Sequence, residues 1–124
     1  MTDRPFRWGI IGPGKIAHRF AEALGGTEGA VLQAVASRSR ERAARFAGEF
    51  GALHYYDSYE QLVADPAIDA VYIATPHNFH FEQTRMSLEA GKPVLCEKPF
   101  TVNRQQAREL VDLAAEKNLF LMEA

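Results

Sequence analysis

The chain has 124 residues, 47% hydrophobic and 24% charged, with a formal net charge of −2 at pH 7. That size and balance suit one folded domain with its own core and exclude a disordered chain. No long basic run and no apolar stretch of bilayer length occurs, so neither nucleic acid nor a membrane is an expected partner. The opening Met1-Thr2-Asp3-Arg4-Pro5 lacks the apolar centre of a secretion signal, and the single Cys96 can form no internal disulfide. Both point to a cytoplasmic protein.

In chain order, strand-like apolar runs alternate with helical patterns. The first strand covers about Arg7 to Ile11, and a helix follows from about Gly14 with Ile16, Phe20 and Leu24 on one face, stopped by Gly25-Gly26. A second strand spans Ala30 to Ala36. Ser39 is the expected N-cap of a helix burying Ala43, Phe46, Ala47 and Phe50. Leu53 to Tyr56 reads as a short third strand, and Ser58 with Gln61 matches a capping box for a brief helix before Asp65-Pro66. Ala70 to Ala74 reads as a central parallel strand. A helix from about Asn78 to Ala90, with Asn78 as a possible cap, ends at Gly91. Pro93 to Cys96 is a fifth strand. Asn103 caps a last helix with inner face Ala107, Leu110, Val111 and Ala114, and Leu119 to Met122 is a sixth strand. Six strands and five helices predict an α/β doubly wound parallel sheet, three layers deep, in the order 3-2-1-4-5-6. Ligands bind such sheets beyond the carboxyl ends of the strands, where the first and fourth are neighbours. Three segments should meet there: Gly12 to Ile16, Thr75 to His80, and Glu97 to Pro99.

The first of these is rich in glycine. Phe6 to Ala17 reads as a strand handing over to a helix around a diphosphate, with Gly12 for the tight turn, Gly14 for close backbone approach, and a small Ala17 for helix packing. Pro13, Lys15 and Ile16 complete the turn, and the helix start offers free N–H groups to an anion. About 20 residues on, where an NAD site carries an acid, the chain reads Ser37-Arg38-Ser39-Arg40-Glu41-Arg42. Ser37, Arg38 and Arg42 suit the 2′-phosphate of NADP, which is favoured over NAD. The plainer alternative is a solvated basic helix start. A methyltransferase-type domain would also want an acid there. A nucleotide triphosphate loop would need Ser or Thr where Ile16 stands.

In Thr75-Pro76-His77-Asn78-Phe79-His80, His77 and Asn78 are placed to reach a cofactor ribose or nicotinamide; helix capping and surface hydrogen bonding are the alternative for the two histidines. His77 and His80 have half the spacing of a metal site, but no further ligands cluster nearby, so no metal is expected. In Glu97-Lys98-Pro99, a lysine at a strand's carboxyl end could hydrogen-bond a substrate oxygen and pass a proton, with Glu97 orienting it. An exposed Glu–Lys pair in a turn is the alternative. Cys96 reads as a small buried residue rather than a nucleophile.

Together, Gly9 to Ala17, Asp69 to His77 with His80, and Gly91 to Pro99 resemble the Gfo/Idh/MocA oxidoreductases over essentially the whole chain. Ser37-Arg38 and Arg42 bring it nearest the NADP-using members, among them dihydrodiol and xylose dehydrogenases. The resemblance implies hydride transfer between a nicotinamide and a sugar, polyol or dihydrodiol-type alcohol. It implies Lys98 as the catalytic lysine, Glu97 lining the same site, and Thr75, Pro76, His77, Asn78 and His80 as the cofactor loop, although many members have asparagine where His77 stands. It also implies that residues 1–124 are the NAD(P)-binding domain, with the family's C-terminal substrate and oligomer domain absent. A chain so limited would bind NADP(H) without full turnover and expose a surface inviting self-association. A non-catalytic dinucleotide-binding module is the alternative.

Overall fold

The computed structural model describes residues 4–98, 101 and 103–124; Met1-Thr2-Asp3 and Pro99 lie outside them. The elements in chain order are β1 (Phe6–Ile11), α1 (Lys15–Gly25), β2 (Ala30–Ala36), α2 (Arg40–Phe50), β3 (His54–Tyr56), α3 (Tyr59–Val63) and β4 (Ala70–Ile73). A 3₁₀ turn (His77–Phe79), α4 (His80–Glu89), β5 (Val94–Cys96), α5 (Arg104–Glu116) and β6 (Leu121–Glu123) follow. The strands form one six-stranded sheet in the order β3-β2-β1-β4-β5-β6. Every pairing is parallel. The doubly wound order predicted from the alternation of elements is therefore the one observed.

Alternation along the strands sends side chains to two cores. Ile10, Leu32, Val35 and Tyr72 pack against Ala17, Ala21 and Leu24 of α1 and Phe46 of α2. On the other face Ile11, Val71, Ile73, Val94 and Cys96 pack against Leu62 of α3, Leu88 of α4 and Leu110 of α5. Burying each large aliphatic side chain contributes about 1.5–3 kcal/mol. Three helices start on the expected caps: Ser39 Oγ accepts from Arg42 N–H at 3.2 Å, Ser58 Oγ from Gln61 N–H at 3.3 Å, and Asn103 Oδ1 from Gln106 N–H at 2.9 Å.

Some expectations shift. α1 turns Ala17 and Ala21 to the sheet and leaves Ile16 37% exposed, because small residues let the helix sit close to the strands. Val111 is likewise 51% exposed, and Leu110 and Ala114 carry the contact. β6 begins at Leu121, since the Leu119 N–H is taken by Ala114 O at 2.8 Å in the closing turn of α5. Leu53 lies outside β3 and is 71% exposed. Asn78 sits inside the 3₁₀ turn rather than at the start of α4. No described helix is long and apolar enough to cross a membrane.

The amino ends of β1 and β4 are pinned by one carboxylate. Asp69 accepts from Arg7 N–H at 2.8 Å and from Arg4 Nη1 and Nη2 at 2.8 and 3.0 Å, while its own N–H donates to Arg7 O at 2.8 Å. The Arg4 guanidinium, opposed by partial burial and aided by Arg7, holds the Asp69 carboxyl well below the usual carboxylate range. A carboxyl group lowered in the folded state stabilises the fold above its unfolded pKa of about 4 and loses that contribution as pH falls. Asp69→Asn should therefore lower the urea midpoint at about pH 7, with the gap to wild type shrinking by about pH 2.5. An equal gap at both pH values would refute this account.

Candidate functional site

Backbone bonds across the sheet bring the loops at its carboxyl edge into line. Gly12 N–H donates to Ala36 O at 3.0 Å, Ala74 N–H to Ile11 O at 2.9 Å, and Glu97 N–H to Ile73 O at 3.0 Å. Each loop that carries candidate chemistry thus starts level with its neighbour. An open groove of about 540 Å³ lies along this edge, lined by Gly12, Pro13 and Gly14, by Ser37, Arg38, Ser39 and Arg42, by Tyr59, and by Ala74, Thr75 and Pro76.

The two glycines serve different needs. Gly12 has φ +94°, and a Cβ there would lie 2.7 Å from Thr75 Cγ2 and 3.0 Å from Thr75 N. The turn out of β1 is thereby pressed against the end of β4. Gly14, with ordinary φ −85°, has nothing within 4 Å of where a Cβ would stand. Its bare face opens on the groove, where a side chain would take the space of a ligand. Gly14 is also the N-cap of α1 and supplies no side-chain cap, so the first-turn N–H groups remain for an external acceptor. His18 Nδ1–H donates to Gly14 O at 2.9 Å, and its ring packs edge-on against Phe46 and Phe50 of α2, tying the glycine turn to the next helix.

Electrostatics favour an anion. The groove lining holds two arginines and no carboxylate. Nearby Arg40 pairs with Asp57 at 4.0 Å and Arg45 with Glu41 at 3.0 Å, whereas Arg38 and Arg42 form no ion pair among the described residues. Ser37 is buried, and its Oγ accepts from Ser39 N–H at 3.1 Å, which shapes the turn that presents both guanidiniums. Glycine-bared backbone, a helix start without a side-chain cap and guanidiniums outside any ion pair among the described residues together fit a dinucleotide carrying an extra phosphate.

At the other loops, Thr75 and Pro76 line the groove, while His77 and Asn78 stand exposed beyond it on the 3₁₀ turn. His80 is buried, and its Nε2–H donates to Thr75 O at 2.6 Å. Thr75 Oγ1 in turn bonds Gln83 Oε1. His80 and Gln83 therefore brace the loop after β4 from beneath. Lys15 and Ile16 lie exposed at the start of α1, and Lys98 is exposed after the end of β5. The Glu97 carboxylate accepts from the Tyr72 hydroxyl, so Glu97 is anchored to β4 rather than shown holding Lys98. Tyr72 stacks on Phe20 with ring centroids 4.0 Å apart. Burial pushes the Cys96 thiol up to about 12, consistent with an inert core residue.

Tyr59, Tyr72, His18 and Gln83 escaped the sequence reading. Tyr59 follows the Ser58 cap, and Tyr72 sits in an apolar run, so neither carries a local signal of its place at this edge of the sheet. A larger cavity of about 670 Å³ opens at the opposite end of the sheet, among Leu24, Val31, Leu32, Phe50 and Leu53, and holds none of the predicted site residues.

Residues 6–124 match the family model GFO_IDH_MocA, an oxidoreductase family with an NAD-binding Rossmann fold. The chain is 47% identical over 131 residues to D-xylose 1-dehydrogenase (NADP(+)) of Hypocrea jecorina, covering 95% of this chain and 33% of that protein. It is 44% identical to trans-1,2-dihydrobenzene-1,2-diol dehydrogenase of Mus musculus, covering 95% and 36%. Among solved structures, a 3-ketoreductase from Actinomadura kijaniata in complex with NADP and TDP-benzene superposes with a TM-score of 0.93 at 40% identity, over 97% of this chain and 37% of that one. The chain thus spans about a third of the length of the curated relatives it matches.

The two glycines should respond differently to the same change. Gly12→Ala should cost about 2 to 4 kcal/mol of stability through positive φ and the clash with Thr75, whereas Gly14→Ala should stay within about 0.5 kcal/mol of wild type. Urea denaturation of both variants checks this, and equal losses would contradict it.

Proposed function

The chain belongs to the Gfo/Idh/MocA oxidoreductase family, and on that premise we propose that it is the NADP(H)-binding domain of an alcohol dehydrogenase. The reaction moves a hydride between the nicotinamide and the carbinol carbon of a sugar, polyol or dihydrodiol-type alcohol. The observation that carries the reading is the carboxylate-free groove in which Arg38 and Arg42, unpaired among the described residues, flank the Gly12–Gly14 turn. The similarity to a xylose dehydrogenase that uses NADP(+) and to a dihydrodiol dehydrogenase supports both the coenzyme and the substrate class.

The bound coenzyme supplies or accepts the hydride. Gly12, Pro13 and Gly14 leave room for the diphosphate, and the first-turn N–H groups at Lys15 and Ile16 bind it. Ser37, Arg38 and Arg42 hold the 2′-phosphate by charge-assisted hydrogen bonds. Thr75 and Pro76 form the wall opposite, His77 and Asn78 extend it, and His80 fixes its backbone from below. Lys98 Nζ would hydrogen-bond the substrate oxygen; as the neutral amine it would take the hydroxyl proton on oxidation, and as the ammonium it would return that proton on reduction. Glu97, anchored by Tyr72, sets the carboxyl end of β5 from which Lys98 extends.

Titration with NADPH and NADH tests the coenzyme assignment. NADPH should bind at least about tenfold more tightly, and Arg42→Ala should remove roughly tenfold or more of NADPH affinity while leaving NADH unchanged. Equal affinity of wild type for both coenzymes would reject it. In the enzyme that oxidises the alcohol, Lys98→Met should lower kcat by about 10² to 10⁴ with the melting temperature unchanged; a kcat within about threefold of wild type would remove Lys98 from the chemistry.

A further inference from the structure

We propose that Phe79 is a coenzyme-specificity residue that acts through Arg38: its ring holds the guanidinium at the mouth of the groove, ready for the 2′-phosphate. The proposal rests on the NADP(H) reading above and adds to it a residue outside the groove. Arg38 Cζ lies 5.3 Å from the centroid of the Phe79 ring. The two come from different loops, Arg38 from the turn between β2 and α2 and Phe79 from the 3₁₀ turn after β4. Their contact therefore spans the crevice. Arg38 belongs to the groove lining and Phe79 does not. The ring backs the side chain without occupying ligand space.

The neighbouring arginines sharpen the contrast. Arg40 is drawn the other way, over Tyr55 at 5.5 Å and toward Asp57 at 4.0 Å. Two rings thus sort two arginines only two residues apart, and of these only the one over Phe79 lines the groove. A guanidinium over a ring uses its charge and face and keeps its N–H groups free at its edge. Holding a long exposed side chain before the ligand arrives reduces the ordering cost at binding. Phe79 is also the N-cap residue of α4, where Ser, Asp or Asn is the ordinary choice, and it makes no side-chain cap bond there. Its ring has a partner in Arg38 instead.

The test is a set of NADPH and NADH titrations on the whole chain. Phe79→Leu keeps the bulk and removes the ring; NADPH should weaken about two- to fivefold with NADH unchanged. Phe79→Trp should restore wild-type preference. In an Arg38→Ala background, Phe79→Leu should cause no further loss. The proposal is overturned if Phe79→Leu leaves NADPH binding unaltered, weakens both coenzymes equally, or costs as much without Arg38, because a merely structural role gives those results. If Phe79→Leu fails to fold, Phe79→Trp alone decides, and loss of the NADPH preference in that variant counts against the proposal. A wild-type chain with no preference overturns the NADP(H) reading itself and this inference with it. A wild-type preference that no Phe79 variant changes overturns this inference alone.

Discussion

The turn out of β1 can approach the end of β4 only because residue 12 has no side chain. A Cβ at Gly12 would sit 2.7 Å from Thr75 Cγ2, and the residue's φ of +94° is one that other side chains resist. This contact lies at the reversal of strand order, between the two strands whose outgoing loops must stay level. Around it, Gly12, Ala74 and Glu97 each give their N–H to the neighbouring strand. The groove follows as the gap left where those loops diverge, and its depth is set by how closely two backbones approach.

Charge completes what sterics begin. The chain is slightly acidic overall, yet residues 38–42 carry three arginines, and their surroundings separate them. Arg40 is occupied by Asp57 and Tyr55, while Arg38 and Arg42 face a lining without carboxylates. A local excess of positive charge over α1's amino terminus, whose dipole has the same sign, attracts a polyanion at two points rather than one. The far end of the sheet shows the opposite arrangement. There Asp69 gathers Arg4 and Arg7 into an ion-paired clasp that fastens strand ends, each guanidinium already engaged by the carboxylate.

Much of this was legible along the chain. The strand order follows from alternation of elements, and Ser39, Ser58 and Asn103 are caps because a hydroxyl or amide stands three residues before the N–H it must reach. The glycine turn and the arginines are equally local. What could not be read is whatever depends on phase or on distant partners. Helical periodicity marks a stripe on α1, but only the sheet decides that Ala17 and Ala21 face it and Ile16 does not. His80 has the look of a surface ligand in sequence; the packing of α4 turns it inward onto Thr75 O. The Tyr72–Glu97 bond and the Arg38–Phe79 contact join residues on separate loops and strands, so no spacing rule announces them.

Sealing Cys96 in the core has a practical consequence. The chain's only sulfur nucleophile sits under Leu88 and Leu110, with its proton held at ordinary pH. Maleimides should therefore find no accessible thiol on the folded chain. A cysteine engineered anywhere on the rim would be the sole attachment point for a fluorophore or spin label, with no background substitution required.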